Sequence, residues 1–546
     1  MKSIRDSVHG SISVEDRFVT TILETPAFQR LRRIEQTAIR SVFPSARHDR
    51  FIHSLGVYHI GSLIVKHLEE EFNRNLVDNQ FEGYSKTEID RFFNSYLIAC
   101  LLHDIAHAPF SHTFELYYGS RSILFNRLNA ALGNKLDNEL EDVDDPNYHE
   151  YASAIAVIEI FKKELIEDYL DGDLELVCRM IIGCKYVKAK ETHQLQNCFI
   201  SLIHGDIIDA DRMDYACRDV WASGYSTSTI DVTRIISALH IRRTENSKEL
   251  TVCFDCNALN EITNMLDIRS FQNRYVINHH SVQYEQKLML FAAECAAEKL
   301  YSEEQLSPSE ALSRIVCIDA CIDHVRLPDG REIKQISDED LLSLMKMDDN
   351  QYYKEFSSRR YERIAVWKTP DEFYHFFPEI LRGVDLKSGR FEEEVKRQLK
   401  EKLGIDNIII CKVKYKPTVN LKDLYLVVNG DVVGYTDIHP EFKINLSDSE
   451  RDQYFYYLFV PGPKGDPVAS KDLRESVVKC LTPLLKELYP MTQESAMYER
   501  VLAALTMSYK LLGEDRKDQI KAMSNKVKTL NQFLLKSGVS NFIAGF

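Results

Sequence analysis

The sequence predicts a mainly α-helical fold. Three observations carry this: long stretches with apolar residues at three- and four-residue spacing, β-rich texture confined to short runs late in the chain, and Pro and Asn-Gly signals that punctuate rather than pervade it. Residues SISVEDRFV alternate and predict a short hairpin, after which Pro26 opens a helix running to Gln36. From there to about residue 325 the chain reads as helices, for example SLGVYHIGSLIVKHLEEEF and the stretch from Tyr151 to Leu165, whose apolar stripes call for bundling. Beyond Leu327, DNIIICKVKYKP and KDLYLVVNGDVVGYTDI read as strands, the second broken at Asn-Gly. PGPKGDP is a loop, and a helical segment follows it. The expected division is therefore 1–325, a small α/β subdomain at 326–460, and a helical C-terminal segment at 461–546.

Composition narrows the class. A chain of 546 residues with 44% hydrophobic and 28% charged residues has ordinary globular make-up. No apolar run approaches the roughly 20 residues of a membrane span, and the opening residues lack a secretory core, so no membrane partner and a cytoplasmic location are expected. The 12 cysteines lie in apolar segments and read as reduced and buried. Their close pairs, Cys253/Cys256 and Cys317/Cys321, are separated by far more than the roughly 15–20 residues of a zinc ribbon. A net charge of -15 disfavours nucleic acid, because phosphate backbones need a basic surface. An anionic substrate would need a locally basic pocket, for which Arg47, His48, Arg50 and Arg212 are candidates.

The chemistry concentrates in FNSYLIACLLHDIAHAPFSHTFE. Its apolar run ends in His103 and Asp104, helical spacing puts His107 on the face of His103, Pro109 breaks the run, and Ser111 is expected to cap a new helix bearing His112. A buried imidazole beside a buried carboxylate is costly unless both have partners, and a divalent cation satisfies both. An isolated His-Asp pair more often only hydrogen-bonds to itself; here RHDRFIHSLGVYH stands upstream with His53, and HGDIIDADRMDYACRD downstream with acidic residues at 206, 209, 211, 214 and 219. Two imidazoles and two carboxylates form a mixed nitrogen and oxygen set that suits manganese, iron, zinc, cobalt or magnesium without choosing among them.

These segments resemble the HD-domain superfamily, and within it the deoxynucleoside triphosphate triphosphohydrolases, the dGTPases and the sterile-alpha-motif and HD-domain dNTPases. The resemblance runs in order through IRDSVHGSISV, TPAFQRLRRIEQ, FPSARHDRFIHSLGV, LLHDIAHAPFSH, YHEYAS and DIIDADRMDYACRD, across roughly residues 1–220 and more loosely to about 300. It implies an HD-domain helical bundle in which His53, His103, Asp104 and Asp211 hold one divalent metal, with further magnesium accompanying the nucleotide. It implies catalytic histidines at His107, His112 and His149, with His112 as general acid and Glu115 and Glu150 as orienting carboxylates; a solvated helix face is the plainer reading of both glutamates.

For the substrate, the resemblance implies that Arg50 and Arg212 grip phosphates, the latter departing from a customary Lys. Gln36 and Asp219 would hold a 3′ hydroxyl, and Tyr215 would pack where a ribose 2′ hydroxyl would clash. Arg274 is the candidate for the γ-phosphate, with His279, His280 and Tyr284 beside it. Lys2, Arg5, Glu24, Gln29 and Arg32 fall where a regulatory nucleotide binds in the resembling enzymes, with Arg5 and Glu24 departing in type. A nucleotide effector and a homo-oligomer, dimer, tetramer or hexamer, are implied on the same grounds. The expected reaction is dNTP plus water to deoxynucleoside plus triphosphate, serving pool balance or antiviral defence. The alternatives keep the site but change the bond, as a phosphodiesterase, a 5′-nucleotidase or an alarmone hydrolase, or leave it silent in a nucleotide sensor.

Overall fold

The computed structural model describes residues 1–75, 84–136, 146–187, 193–205, 207–224, 229–244, 249–377, 389–415, 421, 423–439, 453–463 and 467–488. It is mainly α-helical and divides into two compact units. The first comprises 1–272, 285–359 and 425–433; the second comprises 273–284, 360–424 and 434–546.

The first unit opens with the expected hairpin, Lys2–Asp6 (β1) paired antiparallel with Gly10–Val14 (β2). Pro26 does start a helix, but Pro26–Arg30 (α1) tightens into a turn at Leu31–Arg33, short of Gln36. Residues 34–36 instead run extended beside 48–50, with Arg50 N donating to Ile34 O and Gln36 N to His48 O.

Two long helices follow, Arg50–Asn75 (α2) and Lys86–Leu102 (α3). Asp49 accepts from Ile52 N at the start of α2, and Ser85 with Glu88 forms a full capping box on α3. From Tyr96 to Leu102 every side chain of α3 is buried, so this stretch is the central post of the bundle. It packs against α2 and against Leu174–Ile182, here α5, with Tyr148–Ile160 (α4) beside it.

Ala210–Ser223 (α6) is capped by Asp209, whose carboxylate accepts from Arg212 N, and stops at Gly224, held left-handed at φ 66°. Leu239–Arg243 (β3) and Leu250–Asp255 (β4) form an antiparallel hairpin, Leu259–Phe271 (α7) packs on α6, and Asp338–Asp348 (α8) lies further along the unit.

Later strands are the small pair His324–Arg326 (β5) and Glu332–Lys334 (β6), then Arg363–Ala365 (β7), Ile409–Tyr415 (β8), Tyr425–Val428 (β9), Asp431–Gly434 (β10) and Gln453–Pro461 (β11). The Asn-Gly signal is a true hairpin turn, with Asn429 at φ 53° and Gly430 at φ 96°. Its strands extend the first unit's sheet in the order β10-β9-β4-β3, β9 running parallel to β4. The run containing them was expected to belong with an appended subdomain, whereas 425–433 returns to the first unit.

The second unit holds an antiparallel sheet, β7-β11-β8. Trp367 is buried within it, donating to Tyr456 O at 2.6 Å and packed on Phe373 and Phe377. Helices Gly389–Leu403 (α9) and Pro467–Leu488 (α10) pack together. The expected C-terminal helix after Leu488 lies outside the described residues. All 12 cysteines lie outside any disulfide; most are buried, as expected, but Cys256 is exposed.

Candidate metal and phosphohydrolase site

Three elements of the first unit deliver the expected ligands. His53 stands on the first turn of α2, His103 is the C-cap of α3 with Asp104 just past it, and Asp211 is on the first turn of α6. His53 Nε2 lies 2.9 Å from Asp211 Oδ1 and 3.4 Å from His103 Nε2, and His103 Nε2 lies 3.6 Å from Asp211 Oδ1. Asp104 Oδ2 is 3.5 Å from His103 Nε2 and 3.7 Å from His53 Nε2, and Arg50 Nη1 donates to it at 2.6 Å. The four side chains thus meet at one point, His53, His103 and Asp211 forming the tightest set.

The partners of the two imidazoles decide what that point requires. His53 Nδ1 is 2.7 Å from Asp214 Oδ2, and His103 Nδ1 is 3.1 Å from Cys100 O. Both partners only accept, so both Nδ1 atoms carry the proton and both Nε2 atoms present lone pairs toward each other and toward the Asp211 carboxylate. Lone pairs and a carboxylate converging in a buried place demand a cation. Without one, burial pushes the His53 imidazole down but Asp211 and Asp214 prevail, raising it to about 10. Two imidazoles with two carboxylates fit a divalent first-row metal.

Beside this set lies a second one. Glu115 Oε1 is 2.8 Å from His112 Nδ1, 2.9 Å from His149 Nδ1 and 3.3 Å from His107 Nε2. The His107 and His149 rings stack at 4.4 Å, and His112 stands edge-on to both. Burial opposes ionisation of Glu115, yet His149 and His112 hold its carboxyl well below the usual range. Burial also opposes charge on His149, but Glu115 raises it to about 9. His107, buried and near Arg50 and the other two rings, is pushed well below the ordinary histidine value and stays neutral. The His112 side chain remains 64% exposed, so one of the three imidazoles can meet a ligand while sharing a carboxylate with the others.

The local path that makes this possible departs from the expected one. α3 ends at Leu102, so His107 does not continue the face of His103; a turn with His107 N donating to Asp104 O carries it to the second cluster. Ser111 caps no new helix. Phe110 and Ser111 are both left-handed, at φ 53° and 52°, and a single tight turn, Ser111–Thr113, presents His112. Ser111 Oγ donates instead to Glu35 O and accepts from Arg50 Nε. Neither glutamate is solvated: Glu115 and Glu150 are buried, but Glu150 accepts from Asn147 N and Nδ2 as the capping box of α4 and stands 3.9 Å from His149 Nε2.

Of the substrate candidates, Gln36 and Asp219 are joined through His48, whose carbonyl accepts from Gln36 N and whose Nε2 is 2.8 Å from Asp219 Oδ1. Tyr215 is half-buried one turn beyond Asp211, and Arg212 Nη1 pairs with Asp209 Oδ2 at 2.7 Å. Arg274 belongs to the second unit, where its Nη2 is 3.2 Å from Asp371 Oδ2. His279, His280 and Tyr284 also fall in that unit. Lys2 pairs with Glu24, and Arg32 Nε donates to Gln29 Oε1, two separate pairs among the five effector candidates; Gln29 also donates to Leu23 O, and exposed Arg5 makes none of these contacts.

Several residues escaped the sequence reading. Asp214 holds His53 with one oxygen and His9 Nε2 with the other at 2.6 Å, while Arg218 clamps Asp214 and Asp6. The spacing of 211, 214 and 218 on one helix face was the available signal. Burial raises the Tyr215 phenol, opposed by the positive charges of Arg269 on α7 and of Arg212. Arg30 and Asp338 brace the site, Arg30 donating to His107 O and Ile336 O, Asp338 accepting from Glu35 N and Phe110 N.

A family model for the HD domain matches residues 50–182, the span that contains His53, the His103-Asp104 pair and the whole second cluster. The chain carries an HD domain. Relatives include the uncharacterized protein YwfO of Bacillus subtilis, 31% identical over 242 residues, 44% of this chain and 45% of that protein. The uncharacterized protein MJ1154 of Methanocaldococcus jannaschii is 25% identical over 498 residues, 89% of this chain and 84% of its own. The deoxynucleoside triphosphate triphosphohydrolase SAMHD1 of Gallus gallus is 28% identical over 300 residues, 52% of this chain and 43% of its own. Apart from MJ1154, the chain spans about half the length of these relatives. Asp211 and its helix lie downstream of the matched HD-domain span, and α6 brings Asp211 Oδ1 to 2.9 Å from His53 Nε2. No described helix is long and apolar enough to cross a membrane.

Proposed function

We propose that this chain is a metal-dependent dNTP triphosphohydrolase that converts dNTP and water to deoxynucleoside and triphosphate. The observation that carries the reading is the pairing of two sites: lone pairs of His53 and His103 converging with Asp211 and Asp104, next to three imidazoles gathered on Glu115. The first set would hold one divalent ion, which when bound supplies Lewis acidity for a phosphoryl oxygen and for water.

The chain's own groups do the rest. His112, exposed on one side and held by Glu115 on the other, protonates the departing 5′ oxygen. His149, protonated up to about 9, stabilises charge on the α-phosphoryl oxygens. Neutral His107 accepts a hydrogen bond from water or donates one to the phosphate, its ring fixed by stacking on His149. Arg50, Arg212 and Arg269 are the cations of the first unit assigned to the phosphate chain, and Gln36, His48 and Asp219 the polar set for the 3′ hydroxyl. Tyr215 supplies the bulk that disfavours a 2′ hydroxyl. The deoxynucleoside triphosphate triphosphohydrolase activity of the SAMHD1 relatives supports the substrate class.

The test is product identity. Protein loaded with Mn2+ is incubated with each dNTP and NTP, singly and in pairs, and products are separated by ion-exchange chromatography. Deoxynucleoside with intact triphosphate is expected; orthophosphate or pyrophosphate as the product would replace this reading with a nucleotidase or alarmone hydrolase. The same assay tests the effector proposed for Lys2, Arg5, Glu24, Gln29 and Arg32: a second nucleotide should raise turnover of the first, and hyperbolic kinetics with every pair would remove effector binding from the proposal.

A further inference from the structure

A third cluster stands apart from both of these. His67 and Glu71 are one turn apart on α2, and His240 projects from β3. His67 lies about 21 Å along the helix from His53, at 1.5 Å per residue. One nitrogen from each imidazole and one oxygen of Glu71 lie within 4.8 Å of one another. His240 Nδ1 is 3.0 Å from Glu71 Oε1, and its Nε2 is 3.3 Å from Asp255 Oδ2 on β4.

Two features go beyond proximity, the unmatched oxygen of Glu71 and the fixed tautomer of His67. Glu71 is only 6% exposed, and its other oxygen, Oε2, is buried without a hydrogen-bond partner among the described residues. A carboxylate in such a place keeps an unmatched oxygen only when a counter-charge is near. His67 Nε2 is 2.8 Å from Leu239 O, a pure acceptor, so Nε2 carries the proton and Nδ1 the lone pair. A backbone carbonyl fixing one nitrogen of a histidine is the customary outer support of a metal ligand.

We propose that His67, Glu71 and His240, with Asp255 at the rim, form a divalent-metal site of the zinc class that fastens the β3–β4 hairpin to α2. Two imidazoles with one carboxylate suit a borderline ion such as zinc better than calcium or magnesium, whose sites are built from oxygen, and Asp255 faces the other nitrogen of His240. The site joins α2 to a hairpin more than 160 residues further along the chain, and its role is structural. The competing arrangement is a proton in place of the ion, with a His240 imidazolium between Glu71 and Asp255. Zinc binding separates the two.

The full chain is stripped with chelator, dialysed against zinc chloride, and its metal content measured by mass spectrometry. Wild type is expected to hold one more equivalent of zinc than His240→Gln and Glu71→Gln; equal content in all three overturns the proposal. A chain carrying His53→Ala and Asp211→Ala, which lacks the first set, should still gain thermal stability on adding zinc and show ligand-field absorption that saturates at one equivalent of Co2+. An unchanged Tm together with the spectrum of aqueous Co2+ overturns the proposal even where the His240 and Glu71 variants fail to fold. Neither readout depends on turnover of any nucleotide.

Discussion

Asp214 Oδ2 lies 2.7 Å from His53 Nδ1, and this contact decides which nitrogen His53 offers to the metal position. Arg218 keeps the carboxylate ionised against full burial, which would otherwise raise it. Replacing Asp214 by Asn keeps the shape but removes the acceptor charge that fixes the tautomer and raises ligand basicity. Metal affinity is expected to fall about 10–100-fold with the four ligands intact. Equilibrium dialysis with Mn2+ checks this, and wild-type affinity in the variant would show that His53 needs no such support.

Glu115 is the shared acceptor of three imidazoles, so Glu115→Gln should disturb catalysis and titration together. We expect kcat to fall about 10²–10⁴-fold with KM nearly unchanged. The pair with His149 also has a linkage signature. The His149 value is raised in the fold, so the pair's contribution is fully present below the ordinary value near 6.5 and is lost as pH rises through about 9. Denaturation midpoints followed from pH 6 to 10 should therefore decline more in wild type than in the variant; matching curves would sink the assignment.

What the sequence revealed and what it hid follow from locality. His103, Asp104 and the histidines of the next turn stand within one short run, and His53 and Asp211 sit on helix starts that cap residues announce. The turn after Leu102 was hidden, because helical spacing says nothing of a chain forced to carry His107 away from His103. His9 and Asp214 meet across 205 residues, a pairing no local pattern encodes. Asn429-Gly430 announced a hairpin but not that β9 would run parallel to β4. Periodicity could not tell that the charge of Arg269, on a different helix, acts on Tyr215 of α6.

Gly56 explains how α2 and α6 approach so closely. A Cβ there would strike the Asp214 carboxylate and the Arg218 guanidinium, both buried and locked in place. Gly56→Ala is expected to destabilise the fold by about 1–3 kcal/mol, the usual range for overpacking, rather than gain helix propensity. Urea titration measures this, and a variant as stable as wild type would mean that the two helices can part without loss.

Asp338 supplies the sharpest pH test, because its carboxyl joins two strands of backbone at the site's rim. Oδ2 accepts from Glu35 N and Oδ1 from Phe110 N. Burial raises its pKa to about 7, outweighing the two N–H donors and Arg30. Between about 4 and 7 the folded chain therefore holds a proton that the unfolded chain has released, so this group's contribution falls as pH rises through that window. Asp338→Asn has no proton to release, though its amide must turn one N–H toward a backbone donor and lowers stability at every pH. The Tm gap between wild type and Asp338→Asn should accordingly narrow from pH 5 to 7.5. A constant gap would show that Asp338 is ionised throughout, with its two backbone donors outweighing burial.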